Sequence, residues 1–265
     1  MRVEFFKYQA TGNDFVIVDN RQNGLTFSTD QIRQICDRKF GVGADGLILI
    51  EKDNHTDFNL VYYNGDGSQS LCGNGSRAAV SFASFLGLVN GSAVFNAYDG
   101  IHDAEIESNT GLIRLKMKDV TEITRIGDDF FINTGSPHYV RVVEHLESFD
   151  VFNQGERIRH SERFKPGGTN VNFIELQPDN TVFVRTFERG VENETLSCGT
   201  GVTAAAIAAA YLGYVSPVRI RTLGGELAVE FVADDNLPET GQGGTFSEVY
   251  LTGPAKMVFK GELEL

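Results

Sequence analysis

Residues 72–89 read CGNGSRAAVSFASFLGLV, and residues 198–215 read CGTGVTAAAIAAAYLGYV. The two segments align without a gap, 126 positions apart, and share nine residues, including the opening Cys-Gly-x-Gly. Each continues as an apolar run that reaches a Leu-Gly pair, which is typical of a helix and its end. Because the offset is close to half of the 265 residues, the repeat indicates an internal duplication into two similar domains.

Short segments rich in β-branched and aromatic residues surround each copy of the motif. In the first half they are VEFFKYQ, DFVIVDN, LILIEK and DFNLVYY before the motif, and AVFNAYDG, HDAEIES and GLIRLKMK after it. The second half repeats this order with SPHYVRVVE, GGTNVNFIEL and TVFVRTF, and then with VRIRTLG, ELAVEFV and FSEVYLTG. Two more helices are predicted, FSTDQIRQICDRKF, where Ser28 and Gln31 have capping-box spacing, and DVFNQGERIRHS.

These patterns predict an α+β fold of two pseudo-symmetric domains, each a mostly antiparallel sheet wrapped around a central helix. The second repeated helix is apolar nearly all round, which favours a position surrounded by other structure. We expect the first domain to span residues 1–118 and the second residues 119–254, because the order of elements restarts near Lys118–Glu122. A last strand at 255–265 is expected to return to the first domain.

Composition limits the possible partners and the compartment. The formal charge of −13 argues against nucleic acid and acidic membranes as partners, because no basic stripe offsets it. The amino-terminal residues lack the apolar core of a signal peptide, and the longest apolar run, Val202–Val215, is too short to span a bilayer. Three cysteines do not make a secreted disulfide framework. We therefore expect a cytoplasmic protein, and leave open whether it is a homodimer.

A cysteine at a helix start has distinctive chemistry. The unpaired N–H groups there carry partial positive charge, which favours a bound carboxylate and lowers the pKa of a thiol. Two such thiols facing one site could form a disulfide, bind a metal, or act as an acid–base pair. No CxxC pair or His-x-x-His spacing supports the first two, so we expect no metal. An acid–base pair fits best, with one thiolate removing a proton from a carbon and the opposite thiol delivering another.

Five further segments carry a resemblance to a known family. They are GNDFVIVDN, GVGADGLI, YYNGDGS, CGNGSR and FERGVENETLSCGTG. Together with the duplication they resemble diaminopimelate epimerase from Gly12 to about Gly225. The resemblance implies a cofactor-independent epimerase that interconverts LL- and meso-2,6-diaminopimelate in lysine and peptidoglycan precursor biosynthesis. It also implies two similar domains with the active site in the cleft between them.

The resemblance assigns roles to individual residues. Cys72 and Cys198 match the two catalytic thiols, the second removing the proton from the LL substrate while the first donates one. His138 matches a supporting residue near the cysteines. The residues that match substrate contacts are Asn13, Asn64, Gly73, Asn74, Asn170, Glu188, Arg189, Gly199 and Thr200.

Each of these residues also has a structural interpretation. Asn13 and Asn64 are residue types that stabilise turns, and Glu188 with Arg189 could form an exposed ion pair of little energetic weight. Cys36 lies on an amphipathic helix without a counterpart in the second half, and is expected in the core. The chain also departs from the family at Ser136, where the family usually has Asn before Pro-His. Because serine is shorter and has a hydroxyl in place of the amide, we expect a direct substrate contact there to be lost or replaced by a water bridge.

Other functions stay open at this point. A proline or hydroxyproline racemase shares paired cysteines, but its first motif typically reads Cys-Gly-His where this chain has Asn74. A phenazine-biosynthesis isomerase lacks the cysteine pair. A binding module could use the two helix starts to hold an anion, although serine or glycine would then serve as well as cysteine. A thiol redox protein would form a reversible disulfide between residues 72 and 198.

Overall fold

The computed structural model describes residues 2–22, 24–234, 237, 241 and 243–265. The chain divides into two compact units. Unit 1 comprises Met1–Leu115 and Gly253–Leu265, and unit 2 comprises Lys116–Thr252. The boundary after Leu115 falls three residues before the one expected after residue 118. The boundary after Thr252 falls two residues before the one expected after residue 254.

The described residues of unit 1 form two helices and eight strands. Helix α1 spans Thr29–Cys36 and α2 spans Gly73–Phe85. The strands are β1 (Arg2–Ala10), β2 (Asn13–Asp19), β3 (Gly46–Glu51), β4 (Phe58–Asn64), β5 (Ser92–Ala97), β6 (Gly100–Ile106), β7 (Ile113–Lys116) and, from the end of the chain, β17 (Lys256–Glu264).

The described residues of unit 2 form two α-helices, two short 3₁₀ helices and nine strands. Helix α3 spans Val151–Arg159 and α4 spans Gly199–Ala210, with short 3₁₀ helices at Leu146–Ser148 and Glu162–Phe164. The strands are β8 (Ile123–Ile126), β9 (Asp129–Asn133), β10 (Pro137–Val142), β11 (Asn170–Gln177), β12 (Thr181–Glu188), β13 (Asn193–Thr195), β14 (Val218–Thr222), β15 (Gly225–Ala233) and β16 (Phe246–Gly253).

The two units pair their strands in the same order. In unit 1 the order is β17-β1-β2-β3-β4-β5-β6-β7, with β2–β3 and β4–β5 parallel and the other pairs antiparallel. In unit 2 the order is β8-β9-β10-β11-β12-β14-β15-β16, with β10–β11 and β12–β14 parallel and the others antiparallel. This correspondence confirms the predicted α+β fold, its mostly antiparallel sheets and its duplication.

Strand periodicity places a helix on each face of each sheet. On β11, Phe173 packs in the cluster that includes Val151 of α3, whereas the next residue, Ile174, packs against α4. On β2, Val16 and Val18 pack in the cluster that includes Ile32 of α1. Successive side chains of a strand point to opposite faces, so continuous apolar runs are buried on both.

The two repeated helices are central in their units. Helix α4 contacts β9, β10, β11, β12, β14 and β15, and α2 contacts β1, β2, β3, β4 and β17. Every residue from Gly201 to Ala209 is buried, as the all-round apolar pattern predicts. A glycine with positive φ follows the end of each helix, Gly87 at 70° and Gly213 at 93°. The repeated Leu-Gly pairs therefore mark the helix ends, as the sequence predicts.

Candidate functional site

Cys72 is the N-cap residue of α2 in unit 1. Its backbone is extended (φ −130°, ψ 111°), and the helix begins at the next residue, Gly73. The Gly75 N–H donates a hydrogen bond to Cys72 Sγ at 3.4 Å. The sulfur therefore lies among the unpaired N–H groups of the helix start, as the motif predicts.

Asn13 and Asn74 form a polar network with this sulfur. Cys72 Sγ lies 3.4 Å from Asn13 Oδ1, which also accepts a bond from Asn74 Nδ2 at 3.3 Å. Asn13 Nδ2 donates to Asp45 Oδ2 at 2.5 Å, which fixes the orientation of the amide. Asn13 therefore presents an acceptor to Cys72, and that acceptor receives a bond from the S–H when the thiol is protonated.

Arg77 extends the network into the interior of unit 1. Its side chain is fully buried, and Nη2 donates to Asn74 Oδ1 at 2.9 Å and to Thr11 Oγ1 at 3.3 Å. Burial lowers the pKa of Arg77 to about 10, which still leaves the guanidinium charged at neutral pH. The half-site around Cys72 thus includes a buried positive charge.

Cys198 occupies the equivalent position in unit 2. It is the N-cap of α4, with φ −122° and ψ 115°. Its Sγ lies 3.5 Å from Thr200 Oγ1, and Thr200 Oγ1 lies 2.9 Å from His138 Nε2. The backbone geometry of the two cysteines is nearly the same, but their polar surroundings differ.

Asn172 sets the direction of the hydrogen bonds in this second half-site. Its Oδ1 accepts from Thr186 Oγ1, and its Nδ2 donates to Tyr139 O and to His138 Nδ1. His138 Nδ1 is therefore the acceptor and Nε2 carries the proton, which it donates to Thr200 Oγ1. The Thr200 hydroxyl proton is then available to Cys198 Sγ. The hydrogen bonds from Asn172 through His138 to Thr200 thus supply a donor to Cys198 Sγ, whereas Asn13 supplies an acceptor to Cys72 Sγ.

His138 is neutral because it is buried. Burial, together with the nearby charge of Arg189, lowers its pKa to about 3, against a smaller opposing effect of the Asn172 hydrogen bond. The imidazole consequently acts as a fixed hydrogen-bond donor at physiological pH rather than as a titrating group.

We expect the midpoint of urea unfolding to fall as the pH is lowered from about 7 to about 5. The unfolded chain takes up a proton at His138 near its ordinary pKa of about 6.5, whereas the folded protein resists protonation down to about 3. Unfolding is thus favoured below pH 6.5, by up to about 1.4 kcal/mol per pH unit. In H138Q this decrease should be smaller. An equal decrease in both proteins would contradict the assignment. Burial opposes ionisation, but Arg38 and Lys7 outweigh it and lower the pKa of Asp14 to about 2. Asp14 therefore changes the stability only below about pH 5 and does not obscure the effect of His138.

Asn170 is engaged by the protein itself. Its Nδ2 donates to Ser136 Oγ at 2.9 Å and to Pro137 O at 3.0 Å, and its Oδ1 accepts from the Arg189 N–H. The Ser136 hydroxyl is therefore held against Asn170. Asn170 thereby joins the start of β10 to the segment that begins at Arg189.

Two other predicted residues also make internal contacts. Asn64 Nδ2 donates to Ser68 Oγ and Ser70 Oγ at 3.0 and 3.1 Å, so Asn64 stabilises the turn after β4. Glu188 is half-buried and accepts from Thr195 Oγ1 at 2.8 Å, while the neighbouring Arg189 is exposed. Both interpretations made from the sequence, turn stabilisation and substrate contact, stay compatible with Asn64.

Cys36 is separate from both half-sites. It packs in the apolar cluster of α1, β1, β2 and β3, as expected from the sequence. Burial raises the pKa of its thiol to about 11, so it is protonated at neutral pH. It therefore lacks the thiolate character that an acid–base role requires.

Three residues of the two half-sites were not identified from the sequence: Arg77 and Asp45 near Cys72, and Asn172 near Cys198. Arg77 lies inside the first motif, and its replacement by Thr203 in the second was a visible difference between the copies. Asn172 interrupts the apolar strand β11, and a buried polar residue in such a strand signals a hydrogen-bond partner. Asp45 precedes β3, and nothing in its local pattern indicates contact with Asn13.

The described ranges contain neither a helix suited to a membrane nor a side-chain cluster suited to a metal ion. No helix in them is both long and apolar enough to cross a membrane. In the same ranges, no three side chains of His, Cys, Asp or Glu cluster as metal ligands would.

Comparison with known proteins gives a consistent result over the whole chain. The sequence profile described as Diaminopimelate epimerase matches residues 5–123 and 130–258. The chain is similar to the diaminopimelate epimerase of Flavobacterium psychrophilum, with 45% identity over 262 residues, covering 97% of this chain and 99% of that protein. It is also similar to the diaminopimelate epimerase of Chlorobaculum tepidum, with 40% identity over 265 residues and the same coverage of both proteins.

Two solved structures share the fold at low sequence identity. A phenazine biosynthesis protein of the PhzF family from Bacillus anthracis superposes with a TM-score of 0.76 at 16% identity, covering 100% of both chains. A hydroxyproline epimerase from Agrobacterium vitis superposes with a TM-score of 0.69 at 14% identity, covering 99% of this chain and 92% of that one. At this identity the likeness concerns the fold alone.

Proposed function

The chain belongs to the diaminopimelate epimerase family, and we propose that it interconverts LL- and meso-2,6-diaminopimelate with Cys72 and Cys198 as its acid–base pair. The observation that carries the mechanism is that both cysteines are N-caps of the two repeated helices. A duplicated helix start provides two thiols of like geometry, and inversion at a carbon needs one proton-transfer group for each face.

The helix starts supply the electrostatics of the reaction. Removing the α-proton of an amino acid leaves an electron pair that delocalises into the carboxylate. The N–H groups that follow each cysteine, at Gly73-Asn74 and Gly199-Thr200, are the donors we assign to that carboxylate. They stabilise the charge as it develops, without a cofactor.

The proton steps balance without any further reagent. In the LL-to-meso direction, the Cys198 thiolate takes the proton from Cα and becomes a thiol. The Cys72 thiol gives its proton to the opposite face of the same carbon and becomes a thiolate. The Thr200–His138–Asn172 chain supports this assignment, because it offers a hydrogen-bond donor to Cys198 Sγ. Asn13 Oδ1, as an acceptor, suits a protonated Cys72.

The remaining assignments concern substrate recognition. We assign Asn13, Asn64 and Asn170 to polar contacts with the amino acid, and Glu188 with Arg189 to its distal, non-reacting end. A carboxylate and a guanidinium are complementary to an ammonium and a carboxylate, so this last pair matches both charges of that end. We also propose that the protein acts in the cytoplasm and needs neither a nucleic acid nor a membrane partner.

The function is tested by proton NMR of the purified protein in D₂O with LL-diaminopimelate. We expect deuterium at the α position together with the appearance of the meso isomer. L-Proline and L-hydroxyproline, incubated in parallel, are expected to show no exchange.

Exchange into proline or hydroxyproline but not diaminopimelate would assign the chain to racemase chemistry instead. No exchange into any of the three, with reduced protein and titratable thiols, would favour an anion-binding module. A reversible disulfide without exchange would favour a redox protein.

A further inference from the structure

Arg77 is a buried cation that the epimerase mechanism does not use. Its side chain has no exposed surface, and two of its nitrogens, Nε and Nη1, have no hydrogen-bond partner among the described residues. The partners of Nη2 are the neutral oxygens of Asn74 and Thr11. Within the described part of the chain, no carboxylate is paired with this guanidinium.

Such a group is costly where it stands. Burying an unpaired ion costs several kcal/mol, because hydration is lost without an opposite charge in return. The equivalent position in the second motif is Thr203, which donates to Gly199 O and carries no charge. The duplicated helix of unit 2 therefore forms without a cation at this position.

The network around Arg77 leads to Cys72. Arg77 Nη2 bonds Asn74 Oδ1, Asn74 Nδ2 bonds Asn13 Oδ1, and that oxygen lies 3.4 Å from Cys72 Sγ. Cys72 caps the same helix five residues before Arg77. When Cys72 is ionised, its charge favours the charged form of Arg77, and the same attraction favours the Cys72 thiolate.

We propose that Arg77 is a positioning residue whose charge stabilises the thiolate of Cys72, so that the two duplicated cysteines differ in acidity. The proposal rests on the two-thiol function for its meaning in catalysis, but the acidity of Cys72 is measurable without turnover. In the reaction, Cys72 becomes a thiolate when it gives its proton to the substrate. The charge of Arg77 then offsets the negative charge on Cys72 Sγ. This matters because the neighbouring Asn13 Oδ1 is an acceptor and cannot donate to the thiolate.

The experiment measures the rate of iodoacetamide alkylation of Cys72 as a function of pH. It uses C198A as the parent, with R77M and R77K added, and mass spectrometry to locate the modified thiol. R77M removes the charge and approximates the shape, and R77K keeps the charge. We expect R77M to raise the pH midpoint of alkylation by at least about one unit, and so to slow alkylation at neutral pH about tenfold. R77K should lie closer to the parent.

A matched control separates electrostatics from general damage. In the C72A parent, R77M should leave the pH midpoint of Cys198 alkylation unchanged, because Arg77 belongs to the hydrogen-bond network of Cys72, whereas Cys198 Sγ lies against Thr200. Circular dichroism and the midpoint of urea unfolding report folding for each variant. Should R77M fail to fold, R77Q replaces it and R77K still tests the charge.

Two results would overturn the proposal. One is an unchanged midpoint for Cys72 in folded R77M or R77Q, which would make Arg77 purely structural. The other is an equal change at both cysteines, which would indicate a general effect on the fold. Neither result depends on activity towards diaminopimelate, so failure here is distinguishable from failure of the proposed function.

Discussion

C72A and C198A should each lose at least about 10³-fold in the turnover number for epimerisation, while keeping the fold of the parent. Acid–base groups typically contribute 10²–10⁴-fold each, and inversion needs one on each face of the carbon. Each substitution removes one sulfur atom from an N-cap residue, half-buried at Cys72 and buried at Cys198, so we expect the packing of the fold to survive. The measurement is meso product formation from LL-diaminopimelate, with circular dichroism for the fold.

C36A is the matched control for this prediction. Cys36 is a core thiol outside both half-sites, with its pKa raised to about 11 by burial. We expect C36A to retain the turnover number and to lose some stability, because a small cavity is left in the α1 cluster. A folded C72A or C198A protein that epimerises at the parent rate would eliminate the two-thiol mechanism.

G201A should impair the enzyme far more than G75A, although the two glycines are equivalent in the duplicated motif. A Cβ at Gly201 would lie 2.4 Å from Asn172 Oδ1 and 3.3 Å from His138 Cε1. A Cβ at Gly75 would lie 3.3 Å from Cys72 Cβ, just as a Cβ at Gly201 would lie 3.3 Å from Cys198 Cβ, but its next neighbours are Ile48 Cδ1 and Phe15 Cε1 at an ordinary 3.5 Å. Neither glycine has a positive φ, so only the available space differs. The added methyl in G201A therefore forces Asn172 Oδ1 to shift, which disturbs the hydrogen bonds of Asn172 to Thr186 and His138.

The expected losses of stability and turnover follow from the difference in space around the two glycines. Overpacking costs about 1–3 kcal/mol, and in G201A the displaced Asn172 also loses its bonds to Thr186 and His138. We expect a loss of stability of that order and a fall in turnover of at least about tenfold, because Cys198 loses its oriented donor. In G75A, the better helix propensity of alanine offsets part of the tighter packing. Urea unfolding and turnover of both variants test this, and equal effects would contradict it.

Much of the fold could be predicted because the same pattern occurs in both halves of the sequence. The repeated Cys-Gly-x-Gly segments predicted both helix starts and both central helices, and the period-2 patterns predicted most strands. Strands β8 and β9 were missed, since each has at most five residues and they are joined through a turn at Gly127. Local pattern is weak for such short strands, and the pairing with β10 stabilises them.

The candidate site was predicted less completely. The cysteines could be identified because a repeated thiol before a helix has a chemical meaning in itself. Asn172 and Arg77 could not, because their roles depend on contacts with His138, Asn74 and Thr11 that only the folded chain brings about. The same holds for Ser136, whose hydroxyl is held by Asn170 across the parallel strands β10 and β11.

The place of β17 in unit 1 bears on the order in which the protein matures during synthesis. In unit 2, the nine described strands follow one another in the chain, from β8 to β16. In unit 1, the strand that covers β1 is made of residues 256–264, which the ribosome adds after all of unit 2. The unit that is translated first is therefore completed last. Until then β1 presents an open edge, which a nascent chain must keep from pairing with another.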